Sequence, residues 1–77
     1  MKNKEKKQFV KKFSQYLHSV MKLNIENGVN IHTPLFVEML VQDIESSEFG
    51  EVMMSDHSLQ SECGSKTFGI ITYYRNK

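Results

Sequence analysis

From Lys4 to Glu26 the apolar residues recur at helical spacing. At about 100° per residue, Leu23, Tyr16, Phe9, Val20, Phe13, Leu17, Val10 and Met21 fall in one arc of about 160°, with Lys7, Lys11, Gln15, His18 and Lys22 on the other side. Phe9, Phe13, Tyr16, Val20 and Leu23 alternate steps of four and three, a short heptad seam. The pattern predicts a first helix over 4–26, ended by Asn27-Gly28, where glycine takes the left-handed conformation that closes a helix. Residues 1–3 are expected to fray.

Val29 to His32 is short and β-leaning, a connector or a brief strand. Thr33-Pro34 then supplies an N-cap followed by proline at the first helical position. A second helix is predicted from Pro34 to Ser46. Leu35, Phe36, Val37, Met39, Leu40, Val41 and Ile44 cover more than half of its surface, and Glu38, Gln42 and Glu45 form a narrow acidic stripe. A helix so apolar belongs at the centre of a core.

Beyond Ser46-Ser47 the pattern changes. Phe49 to Ser55 reads as a strand. Asp56 to Lys66 is polar and turn-rich and reads as a loop, with one helical turn allowed over 56–62. Thr67 to Tyr74 is β-branched and aromatic and reads as a second strand. The expected architecture is a small α+β domain spanning residues 1–77, two helices followed by a C-terminal two-stranded antiparallel ribbon, in the order α-α-β-β. The helices cover one face of the ribbon. The expected core comprises Phe9, Phe13, Tyr16, Leu17, Val20, Phe36, Leu40, Ile44, Ile70 and Tyr73 or Tyr74.

Seventy-seven residues suit one small domain with a thin core. The one cysteine, Cys63, excludes an internal disulfide and fits a reducing compartment. No run approaches about 18 apolar residues, so no transmembrane segment is expected, and a cytoplasmic protein is the plain reading. The sequence contains no alanine and is rich in Lys, Asn, Ile, Phe and Tyr. That bias is typical of AT-rich genes, as in some bacteria and their phages.

The net charge of +1 conceals a segregation. Six lysines and one glutamate fall in the first twelve residues. From Leu23 to Ser65 there is no Lys or Arg but there are eight acids. Lysines at a helix N-terminus oppose the helix dipole, so they point to contact or solubility rather than to helix stability.

Candidate chemistry is sparse. His18, His32, His57 and Cys63 match no zinc-ligand spacing. Nothing beside Cys63 marks an activated thiol, and Asp56, His57 and Cys63 do not make a catalytic set. Gly64-Ser65-Lys66-Thr67 lacks the earlier glycine and the Gly-Lys pair of a phosphate-binding loop. No cofactor, metal or catalytic residue is therefore expected.

The candidate interaction surface is Lys4, Lys7, Lys11 and Lys22 on the first helix, with Glu38 and Glu45 on the second. The leading expectation is a non-catalytic protein-interaction module, an inhibitor or adaptor from a phage or other mobile element, working through a charged surface and as a possible homodimer. The alternative is a nucleic-acid-binding protein that uses the Lys-rich helix, although a single arginine leaves little for base reading.

Overall fold

The computed structural model describes residues 2–77, which contain four helices: α1 (Asn3–Glu26), α2 (Pro34–Ser46), α3 (Glu48–Ser55) and α4 (His57–Arg75). No strand occurs among the described residues. The expected α+β architecture and its C-terminal ribbon are thereby overturned; the domain is all-helical. Of the three residues expected to fray, Met1 lies outside the described residues, Lys2 is the N-cap of α1, and Asn3 is its first helical residue.

The first two helices form much as their sequences predict. Gly28, at φ 77°, closes α1. Val29 N–H donates to the Asn24 carbonyl at 3.0 Å and Gly28 N–H to that of Ile25 at 3.0 Å, the paired bonds of a Schellman cap. Thr33 caps α2, its Oγ1 accepting from Phe36 N–H at 3.1 Å, with Pro34 inside the first turn. The segment 29–32 is a connector, not a strand, and Ile31 is buried.

Phe49 to Ser55 is α3, not a strand. Phe49, Val52 and Met53 lie at i, i+3 and i+4 and turn inward together. Glu48 and Glu51 in its first turn favour the positive end of the helix dipole. Gly50 permits the tight corner from α2. A Cβ at that position would stand 2.6 Å from the Ile44 carbonyl oxygen and 2.5 Å from that of Glu45.

Asp56 to Lys66 and Thr67 to Tyr74, expected as loop and strand, are the two halves of one helix. Asp56 caps α4, its carboxylate accepting from Leu59 N–H at 3.1 Å. Leu59, Cys63, Thr67 and Ile71 follow at four-residue steps and are all buried, with Ile70 and Tyr74 beside them. Thr67 Oγ1 donates to the Cys63 carbonyl at 2.8 Å, which satisfies a buried hydroxyl within the helix. The β-branched residues are thus held helical by one continuous buried face that starts in the polar half.

α1 and α4 run parallel. Lys6 Nζ approaches the Asp56 carboxylate at 3.8 Å near their starts, and His18 Nδ1 lies 2.9 Å from the Tyr74 hydroxyl near their ends. α2 runs the opposite way. Arg75, at the end of α4, donates from Nε to the Ile31 carbonyl at 2.7 Å and from Nη2 to that of Thr33 at 3.3 Å. α3 crosses the far end and joins α2 to α4.

The core runs through Phe13, Leu17 and Met21 of α1, Phe36, Leu40 and Ile44 of α2, Met53 of α3 and the buried face of α4. Its axis on α1 follows Val10, Phe13, Leu17 and Met21 rather than the heptad seam. Phe9, Tyr16 and Val20 are only partly buried, and Leu23 is 59% exposed. Tyr74, not Tyr73, enters the core. The start of the seam is nevertheless covered within the chain. The Phe49 ring of α3 sits 5.4 Å from Phe9, 5.6 Å from Phe13 and 5.1 Å from Tyr16, centroid to centroid.

Candidate functional site

The expected surface residues divide between two helices that do not meet through them. Lys4, Lys7, Lys11 and Lys22 are exposed and lie within about 60° of each other around α1. Glu38 and Glu45 are exposed on α2. No ion pair joins the two groups. The one ion pair among the described residues links Lys6 to Asp56. Lys6 lies on the inner side of α1, and this explains why it is partly covered while its neighbours are not.

The isolated polar candidates have structural surroundings. His18 is engaged with Tyr74, its ring 5.5 Å from the tyrosine ring, and His32 and His57 are exposed. Among the described residues no three His, Cys, Asp or Glu side chains are grouped so as to hold a metal ion. Cys63 is fully buried, and burial together with Glu62 pushes its thiol up to about 11, so it is protonated at neutral pH. The Asp56 carboxyl is held below its ordinary value, chiefly by the Leu59 N–H bond and further by Lys6.

One apolar concavity is announced by no motif in the sequence. α1 and α4 approach each other closely, whereas α2 makes few close backbone approaches to α4. Between α2 and α4 lies a groove of about 530 Å³, with Phe13 of α1 at its floor and α3 closing one end. Val37, Val41, Ile44 and Glu45 of α2 form one wall. These residues occupy neighbouring positions on one side of the helix. The opposite wall is α4, where Gln60, Gly64 and Phe68 recur at four-residue steps next to the buried face.

Two features make the groove an open apolar surface rather than a packing defect. Met54, at its α3 end, is 81% exposed, and Phe68, on the α4 wall, is 68% exposed. Large apolar side chains so exposed beside a concavity are the usual mark of a contact site. In addition, Gly64 leaves a gap in the α4 wall, since a Cβ there would meet no atom within 4 Å. Of the fourteen residues lining the groove, Glu45 alone carries a formal charge.

The sequence offers one clue to this site that the strand reading obscured. Once Asp56 is taken as an N-cap, the four-residue steps from Leu59 make a helix, and Gln60, Gly64 and Phe68 fall on its flank. The opening between α2 and α4 has no counterpart in local sequence.

Comparison with protein-family models, with curated proteins and with solved structures finds no significant match to this chain. No helix among the described residues is long and apolar enough to cross a membrane.

Proposed function

We propose that the protein is a non-catalytic docking module that binds another protein through the groove between α2 and α4. The observation that carries this reading is the groove itself, about 530 Å³ with an apolar lining and Met54 and Phe68 exposed at its edge. Grooves of this kind accept apolar anchors from a partner, and methionine adapts its shape to them at little cost. Either an inhibitor or an adaptor would use such a surface to hold its partner.

A photo-crosslinking amino acid in place of Phe68, introduced in the protein's own cells, tests the reading. A discrete protein adduct at Phe68, absent when the crosslinker replaces exposed Ser65, is the expected result. Equal or absent adducts at the two positions would remove the support for the groove as the working surface.

A second reading rests on a different observation. Lys4, Lys7, Lys11 and Lys22 are exposed together on α1, and none has a salt-bridge partner among the described residues. Such a stripe suits a phosphate backbone. It predicts nucleic-acid affinity that falls with salt at a slope of about −0.9 per phosphate contacted on duplex DNA. Replacing Lys4, Lys7 and Lys11 by glutamine should abolish that affinity, and binding that survives the triple change would exclude α1 as the contact.

A further inference from the structure

The charge around the groove specifies the chemistry of its occupant. On α2, Glu45 lines the groove and Glu38 lies about 20° further around the helix, so both carboxylates border the same edge. On α4 the groove-side flank carries Gln60, Gly64, Phe68 and Thr72, none of them charged. Lys66 projects from the other flank of α4, and the Arg75 guanidinium is engaged with the Ile31 and Thr33 carbonyls. The groove therefore has an apolar floor, an acidic edge and no opposing basic side chain.

Its length is also informative. From Gln60 to Ile71 the α4 wall extends for about 16 Å, and from Val37 to Glu45 the α2 wall extends for about 12 Å, at 1.5 Å per residue. These lengths match about two to three turns of helix.

We infer that the groove receives an amphipathic helix of about two to three turns from a different protein, with apolar anchors on one face and Lys or Arg beside them to meet Glu38 and Glu45. This inference rests on the docking reading above and names the partner's chemistry. A second copy of the chain does not supply such a helix. Its one Lys-rich helix, α1, has its apolar side buried against α4 and Phe49. The anchors enter beside Val41 and Phe68, where the missing side chain at Gly64 leaves room. The two carboxylates select for basic neighbours and fix the direction of the helix, as charges at the edge of an interface generally do.

A displayed library of random helical peptides of about 14 residues, panned against the full chain, tests the inference. The expected winners carry apolar residues at i, i+3 or i+4, and i+7, with Lys or Arg flanking them. Their binding should vanish with Gly64→Leu, which fills the gap in the wall, and persist with Gly69→Leu on the exposed side of α4. Both variants replace a helical glycine where no atom lies within 4 Å, so circular dichroism should show each folded. Glu38→Lys with Glu45→Lys should weaken the winners about tenfold at low salt and less at high salt. Winners that depend on Gly64 but carry neutral or acidic flanks would overturn the proposed chemistry while leaving the docking reading intact. Failure to recover any peptide sensitive to Gly64→Leu would overturn both. A dimer in light scattering that Gly64→Leu converts to monomer would assign the groove to a second copy and overturn the inference.

Discussion

Gly50 shows how much a single side chain matters in a chain this short. The end of α2 approaches so closely that a Cβ on residue 50 would stand 2.5 Å from the Glu45 carbonyl oxygen. Backbone cannot give way as a flexible side chain would. Gly50→Ala should therefore destabilise the fold although alanine favours helix, and chemical denaturation should show a loss of about 1–3 kcal/mol. Cys63 makes a pH-dependent contribution. Burial favours the neutral thiol, so its folded value of about 11 lies above that of the unfolded chain. The folded state holds this proton more tightly, and the associated stability is complete below the unfolded value, near 9, and lost as pH rises through about 11. Stability measured from pH 8 upward should fall less steeply in Cys63→Ala than in the native chain.

Among the helices, α2 and α4 owe their starts to side-chain caps and α1 does not. Thr33 and Asp56 each accept a backbone N–H at 3.1 Å, whereas Lys2 at the N-cap of α1 makes no side-chain bond. Thr33→Ala should lower stability by about 0.5–2 kcal/mol in thermal or chemical melts. α1 begins with lysines against its dipole and holds its helix through the burial of Val10, Phe13, Leu17 and Met21. In α4, Gly69 is exposed with nothing near its Cβ position. Gly69→Ala should raise stability by about 0.5–1 kcal/mol, because alanine restricts the unfolded chain and favours helix at no steric cost. A drop instead would mean that residue 69 contacts something besides its own helix.

At the scale of the whole molecule, 39 Å in its longest dimension, three helices alternate in direction and one short helix ties their ends. Leu40 lies on the inward face of α2, fully buried among residues of the other helices. Leu40→Ala should cost about 2–5 kcal/mol, a large share of the total of about 5–15 kcal/mol expected for a domain. A melting temperature that barely moves would show that α2 is peripheral. The α2–α4 groove also belongs to this scale, since its walls come from two separate helices with α3 between them in the chain, and its floor from α1.

Local chemistry by itself determined the first half of the chain. The Asn27-Gly28 stop and the Thr33-Pro34 start rest on contacts within a few residues, the apolar arc over 4–26 is a periodicity of the sequence itself, and α1 and α2 form with nearly the boundaries they predict. The segregation of charge was equally legible, and it places Lys4, Lys7, Lys11 and Lys22 on one exposed stripe and Glu38 and Glu45 on another. The second half was decided only in three dimensions. Phe49–Ser55 and Thr67–Tyr74 are short, apolar and β-branched or aromatic, and their composition alone favours strand. Tertiary packing made them helices. Phe49 covers three aromatic rings of α1, and as a helix the segment from Leu59 to Tyr74 presents one continuous buried face, so tertiary burial outweighs local strand preference. The candidate groove arose in the same step. It exists because α2 and α4 stand apart over Phe13, a spacing that depends on how all four helices share one small core.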